Sequence, residues 1–438
     1  MALGGGTFIA QDKKLPGAYI NFKGVAKAFK LSDRGTAAVA LSLPWGELGK
    51  VFTVTKDRVR RDSKKLFGYD YNAPEMYPVR ELFMGASKLF VYRLGTEGAK
   101  ATNTLADAKY VGTAGNKIIT TVTKTTDGEN PTGWAVRTYF DGELVDEQQA
   151  GTSDNTDVLL DNDFVIWKSG VTLAETTKTT GMMKSGTDPT AELSHGKFLT
   201  ALQTKTFQTV ACGSSDETIV KEYVEFVKSM RESYGIKCQA VVYNIKSDYE
   251  GIINVKNPAE NKDAFALVYW VAGVEAGCPV NESCTNKVYD GELTVKADYT
   301  QDELEDALDQ GFFVMHIVDD DVRVLDDINS LITFDDVKTE DFASNQSIRV
   351  LDQIATDVRM IFSKRYIGLT PNDTAGREAF WNDIVTICRS MQDIRAIEDF
   401  SADSVEVSPG EKKKAVEANF TVKPVNAMAQ LYCTVQVA

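Results

Sequence analysis

Val416, Ala418, Phe420 and Val422 alternate with Glu417, Asn419, Thr421 and Lys423, and beyond Pro424 the alternation resumes at Leu431, Cys433, Val435 and Val437. This period of two predicts strands from Ala415 almost to Ala438. A terminal apolar strand needs a partner, because an unpaired edge is a template for another chain. At the other end, Gly4, Gly5 and Gly6 precede Phe8, Ile9, Leu15, Tyr19, Ile20 and Phe22, which are grouped around Pro16-Gly17. That spacing suits an extended arm over residues 1–22 and not a helix. Two adhesive ends on one chain point to a polymer.

Between the arms the pattern changes three times. Residues 23–102 open an α/β region, with strand-like stretches from Ala37 to Thr55, a helical piece after Leu66 and the apolar run Leu89 to Leu94. Residues 103–195 turn rich in Thr, Gly, Asp and Asn, with alternating runs at Ile118 to Thr123, Ala135 to Phe140 and Phe164 to Trp167. Asp141-Gly142 between two such runs is a two-residue hairpin signal. This segment is expected to be an inserted β-rich domain.

The α/β pattern resumes over 196–343. The strand Phe207 to Cys212, a Gly213-Ser214-Ser215-Asp216 turn, a helix carrying Ile219, Tyr223, Phe226, Val227, Met230 and Tyr234, a stop at Gly235 and the strand Cys238 to Tyr243 make one βαβ unit. Thr300 and Glu303 form a capping box for a helix Gln301 to Gln310, ahead of a buried strand Phe312 to Val318. Residues 344–438 give a long helix Asn345 to Phe362, a second helix N-capped by Thr374, a strand Ile394 to Val407, a Ser408-Pro409-Gly410 turn and the closing strands. So small a sheet is marginal alone, and strands from neighbouring subunits would complete it. The predicted fold class is a multidomain α+β chain: an α/β core, an inserted β-rich domain and a C-terminal helix-plus-sheet domain finished by its neighbours.

Composition narrows the function. Of 438 residues, 43% are hydrophobic and 25% charged, the profile of folded soluble domains. A net charge of −15 excludes general nucleic-acid or anionic-membrane binding, which require a basic face. The charge is uneven, basic from Lys50 to Lys65 and acidic from Asp298 to Asp341, which favours self-association. Without a leader or an apolar run long enough for a bilayer, the chain is expected to be made in a cytoplasm and not to enter a membrane. The 6 cysteines sit mostly in apolar patterns, as reduced buried thiols do.

Candidate chemistry is thin. The turn at 213–216 lacks a phosphate-binding glycine pattern, and Ser215 or Asp216 there is a good helix cap. Cys278 and Cys284 have no second ligand pair for zinc. Asp319-Asp320-Asp321, Asp326-Asp327 and Asp335-Asp336 lack calcium-loop order and read as a solvated or partner-facing edge. His316, inside an apolar run, reads as a core histidine, and with His195 it exhausts the neutral-pH proton shuttles. No catalytic, cofactor or metal residue is assigned.

Several segments in order resemble the contractile tail sheath proteins of myophages, R-type tailocins and phage-like particles. They are Gly4-Gly5-Gly6-Thr7-Phe8, Leu15 to Phe22, Asp33-Arg34-Gly35, Leu43-Pro44-Trp45-Gly46, Val271 to Gly277, Asn329-Ser330-Leu331 and Ser347 to Ile354. The resemblance covers both ends and the core but not the Thr-rich insertion. It implies six-subunit rings stacked around an inner tail tube, with baseplate and terminator proteins at the ends. The insertion would lie outside and the C-terminal domain would face the tube. It also implies that Phe8, Tyr19, Ile20 and Phe22, with Leu431, Cys433, Val435 and Val437, are inter-subunit strand arms. Hinges would fall near Gly24 and Ser408 to Lys414. The particle would be assembled in a bacterial cytoplasm and become extracellular on lysis, as a virion or a genome-free tailocin. A static shell or tube protein and an oligomeric α/β enzyme are the competing readings.

Overall fold

The computed structural model describes residues 5–6, 18–19, 31–127, 130–190 and 195–437. Seven strands form its central sheet: β1 (Thr36–Leu41), β2 (Val51–Thr55), β3 (Lys88–Arg93), β4 (Thr209–Ala211), β5 (Gln239–Tyr243), β6 (Ile252–Val255) and β7 (Phe312–Phe313). Their order is β7-β6-β5-β4-β1-β3-β2, with parallel neighbours throughout except that β2 runs antiparallel to β3. Ala37, Val39 and Leu41 of β1 enter one core while Ala38 and Ala40 enter another. Strands apolar on both faces require cover on both faces.

Helices supply it. In chain order they are α1 (Lys56–Phe67), α2 (Tyr77–Leu82), α3 (His195–Leu202), α4 (Glu217–Glu232), α5 (Leu267–Gly277), α6 (Gln301–Asp309), α7 (Asn345–Ile361) and α8 (Thr374–Asp393). α1, α2 and α5 cover the first face, α3 and α4 the second. The predicted βαβ unit is β4-α4-β5, and Asp216 caps α4 by accepting from the N–H groups of Thr218 and Ile219 at 2.8 and 3.2 Å. Tyr234, expected on the apolar face, lies past the end of α4 and is exposed. The capping box is present, with Thr300 N–H donating to Glu303 Oε2 at 2.8 Å. α5 is buried almost all round because α2 meets it backbone to backbone: a Cβ on Gly273 would come within 2.2 Å of the Leu82 carbonyl oxygen.

The expected buried strand Phe312 to Val318 is broken at Val314. β7 ends at Phe313, and Met315–Val318 turns away to pair antiparallel with Asp321–Val324. That hairpin is partly solvated, so Ile317 is exposed and His316 only half-buried, not a core residue. His195 is the buried histidine, its Nδ1 2.9 Å from the Tyr223 hydroxyl.

Between residues 100 and 167 the chain builds two three-stranded sheets. One is the meander Ile118–Asp127, Asn130–Phe140 and Glu143–Gly151; the other pairs Ala106–Val111 with Lys100–Thr102 and Val165–Trp167. Asp141 and Gly142 both adopt positive φ, 50° and 84°, as the predicted two-residue hairpin turn demands. Trp45, from the loop between β1 and β2, inserts into this core, 5.2 Å from the Tyr110 ring and 6.1 Å from those of Phe140 and Phe164. Lys64 and Lys65 of α1 add ion pairs to Glu143 and Asp163 at 2.7 and 2.5 Å, so part of the basic stretch is spent within the chain.

α7 and α8 pack over a fourth core with Val350, Ile354, Phe380, Ile384 and Cys388. The N-cap of α8 is Asp373 and not Thr374, since its carboxylate accepts the Gly376 N–H at 2.8 Å. The expected strand Ile394 to Val407 is also shorter: Ile397–Glu398 pairs with Lys423–Pro424, a turn intervenes, and Glu406–Pro409 pairs with Val416–Asn419. Ser408 to Lys414 belongs to this second hairpin, where Asn372 Nδ2 donates to the Lys413 and Ala415 carbonyls, so it is a pinned turn and not a hinge. The hinge expected near Gly24 lies outside the described residues.

Candidate assembly site

Asn345, Arg349, Gln353 and Asp357 recur every fourth residue along α7, and all four are buried. They join the C-terminal unit to the sheet body. Arg349 Nη1 donates to Glu275 Oε2 of α5 and Nη2 to Asp327 Oδ2, both at 2.7 Å. Asp327 also accepts from the Cys284 N–H at 2.9 Å and Asn345 Nδ2 at 3.0 Å. One turn on, Asp352 receives Arg231 of α4 in a bidentate pair at 2.6 and 2.9 Å. Arg34 donates to the Cys278 and Glu275 carbonyls, and Gln353 to the Ser32 carbonyl, so the lead-in to β1 is held too.

Burial, with the adjoining Asp327 charge, pushes the Glu275 carboxyl well above the carboxylate range. Burial would raise Asp327 as well, but the Arg349 charge and its hydrogen-bond donors hold it below the usual value. The pair therefore keeps one proton, on Glu275, beside a guanidinium. Asp327 was expected on a solvated acidic edge and is instead 3% exposed, because Arg349 compensates its charge. Glu275, Cys284 and Asp327 bring ligand atoms within 4.8 Å of one another, but Arg349 contacts both acids and balances the Asp327 charge.

At the N-terminus of α7, the Gln346 carboxamide holds the last anchored stretch of chain. Its Nε2 donates to the Val425 carbonyl at 3.1 Å and its Oε1 accepts the Ala427 N–H at 2.9 Å, the pair of bonds a neighbouring strand would make. Ser347 Oγ reaches Asn426 Oδ1 at 3.1 Å. Beyond this clamp the chain leaves the body: Leu431 is 87% exposed and Val437 94%, and Tyr432, Cys433 and Val435 are exposed with them. The strand predicted over Leu431 to Val437 has no partner among the described residues and is not a strand here. Gln346→Ala is expected to leave the unfolding free energy within about 1 kcal/mol of the parent, as for a single neutral hydrogen-bonding side chain. It is also expected to speed hydrogen exchange at Ala427, and unchanged exchange there would show that the amide is held by other means.

The edges available to such a segment lie close by. Each strand of the two C-terminal ribbons has one partner strand, and none on its other edge, among the described residues. Next to Val416, a cleft of about 710 Å³ is lined by Phe362, Tyr366, Leu369 and Phe380, with Lys413 and Lys414 at its rim. Of the N-terminal arm, Gly5–Gly6 pairs in parallel with Ala18–Tyr19, which places the Tyr19 backbone; Phe8, Ile20 and Phe22 lie outside the described residues. Arg349 and Gln346 were given no role by the sequence, and Asp327 was placed on a solvated or partner-facing edge, because nothing in the spacing shows what lies opposite α7.

A three-layer body, a C-terminal unit with open ribbons and an exposed terminal segment define an assembly subunit. Residues 185–330 match the family profile of the phage tail sheath protein central domain, 337–438 the phage tail sheath C-terminal domain, and 34–94 the tail sheath protein Gp18 domain III N-terminal region. The chain is 30% identical, over 99% of its length and 100% of the relative's, to the phage-like element PBSX protein XkdK of Bacillus subtilis. It is 32% identical to a sheath tail protein of Desulfitobacterium hafniense of known structure, with a TM-score of 0.78 over 93% of this chain and 96% of that one. The fold extends to the contracted helical sheath of the anti-feeding prophage, at a TM-score of 0.54 and 13% identity over 97% and 99% of the two chains. This chain belongs to the contractile phage tail sheath family and has a structural role in a tail sheath.

Proposed function

We propose that this subunit polymerises as stacked six-membered rings around an inner tail tube and contracts to drive that tube through a bacterial envelope. The observation that carries the reading is the terminal segment 428–437, apolar at every second residue from Leu431, clamped at its base by Gln346 and otherwise in solvent. Exposed apolar alternation is costly in a free molecule and is relieved by strand addition to a neighbour's open ribbon, where main-chain bonds attach and alternate side chains set register. Leu431, Cys433, Val435 and Val437 are the residues assigned to that joint, with Phe8, Tyr19, Ile20 and Phe22 from the opposite arm. Residues 103–195 form the outer domain and 344–438 the tube-facing one.

Contraction uses the free energy of contacts between rigid subunits, without nucleotide or cofactor, and the chain is a structural protein and not an enzyme. The buried pairs Arg349–Glu275, Arg349–Asp327 and Arg231–Asp352 support this, because they tie the C-terminal unit to the body. Rearrangement then falls to the arms. The tube, baseplate and terminator proteins are its partners, assembly takes place in the bacterial cytoplasm, and lysis releases the particle. Electron microscopy of the purified chain tests the reading: rings or tubes of six-fold symmetry are expected, converting to a shorter, wider form under acid or mild denaturant. A single length and diameter under every condition would identify a static tube.

A further inference from the structure

The acidic stretch of the chain ends in a fixed loop with an apolar tip. Over residues 332–341, Asp248 accepts the Ile332 and Thr333 N–H groups at 2.8 and 3.1 Å, and the Asp335 carboxylate closes the turn by accepting those of Val337 and Lys338 at 2.8 and 2.6 Å. The Lys338 ammonium pairs with Glu250 at 2.8 Å. Phe334 and Val337 are left exposed, Val337 at 80%, beside the exposed acids Asp336, Glu340 and Asp341. Exposed apolar side chains inside a polar rim mark contact surfaces, and a tip already held in place loses little freedom on binding.

The cleft of about 710 Å³ in the C-terminal unit is the chemical converse of this loop. Phe362, Tyr366 and Phe380 wall it, and Leu369 stands 72% exposed at its mouth. Its lining carries Arg377, Lys413 and Lys414 and no carboxylate among the described residues, on a chain of net charge −15. The terminal segment 428–437 brings no charged side chain to those cations. The loop lies just ahead of α7, and the cleft begins just past its end, at Phe362. The 17 residues of α7, at about 1.5 Å each, hold the two about 25 Å apart, so one copy cannot fill its own cleft.

We infer that the 332–341 loop of one copy docks in this cleft of a second copy, with Phe334 and Val337 against the aromatic wall and Asp336, Glu340 and Asp341 facing the cations. The inference rests on the polymer reading above and adds a joint distinct from strand addition. Because the two surfaces differ, the contact is head-to-tail and passes from copy to copy instead of closing a symmetric pair. Its charged rim makes it weaken with salt.

The test is cross-linking of a chain carrying Val337→Cys, Leu369→Cys and Cys433→Ser, the last removing the exposed native thiol. Mild oxidation with copper phenanthroline is expected to give a ladder of covalent oligomers that collapses with dithiothreitol, with digestion joining positions 337 and 369. In the same background, Lys413→Glu with Lys414→Glu, and separately Asp336→Lys with Glu340→Lys, should each keep the parent circular dichroism and cut the ladder at least tenfold. An equal mixture of those two chains should restore it, since alternating copies then meet with opposite charges at every joint. No recovery on mixing, or a full ladder from the loop variant alone, would overturn the inference. A Leu369→Cys chain that keeps Cys433 and joins those two positions would put the terminal segment in the cleft and overturn it as well. The ladder is read in solution with or without tubes: ladders without tubes keep this joint and refute the tube, whereas tubes without ladders refute the joint and spare the tube.

Discussion

A chain ending at Gln430 is expected to fold to the parent unfolding temperature and to run as a monomer at concentrations where the full chain forms tubes. The residues removed contribute almost nothing to the isolated subunit: Leu431, Tyr432, Val435 and Val437 are exposed, and no hydrogen bond ties this stretch to the body among the described residues. Surface changes of this kind stay within about 0.5 kcal/mol of parent stability. Under the proposed strand addition the same side chains would be buried in the polymer, each contributing about 1.5–3 kcal/mol. Losing three or four of them costs about 4.5–12 kcal/mol, and every 1.4 kcal/mol is about tenfold in association. Sedimentation and electron microscopy decide it, and tubes of normal length from the shortened chain would refute strand addition by this segment.

Arg349→Ala should be the most damaging single substitution, costing about 3–5 kcal/mol because it strands two buried carboxyl groups without their cation. Urea unfolding measures it. The two acids then give opposite pH signatures. Asp327 has its folded value below 3.8, so its stabilisation is complete above 3.8 and fades as the pH drops through the lower folded value. Glu275 has its folded value well above 4.5, so its contribution is present below 4.5 and declines as the pH rises toward the folded value. Glu275→Gln, which keeps a neutral donor, is expected to match the parent below pH 4.5 and to gain on it steadily at higher pH. A gap that does not widen would mean that Glu275 is ionised in the folded chain.

The layered body was legible because its central strands are largely apolar runs and most of its helices are apolar at every third or fourth position, and the caps at Asp216 and Thr300 stand in plain sight. The Asp141-Gly142 turn was equally explicit. What failed was local alternation without knowledge of cover. Phe312 to Val318 reads as one strand, yet only its first residues join the central sheet while Met315–Val318 turns into a separate hairpin, and Ile394 to Val407 is interrupted by a 3-10 turn at Ala402–Ser404. The junction was hidden for a related reason. Asn345, Arg349, Gln353 and Asp357 look like a wetted face, and nothing in their spacing says that Glu275 and Asp327, far away along the chain, wait opposite them. The exposed terminal segment alternates apolar residues in plain view, whereas the Gln346 clamp at its base follows from tertiary placement alone.

Trp45 lends the molecule an evolutionary seam. One indole from the β1–β2 loop and two lysines of α1 carry much of the attachment of the strands between 100 and 167, and none of the three family profiles reaches residues 95–184. Strands of another design could therefore follow residue 94 provided that they offered an aromatic socket for the same ring.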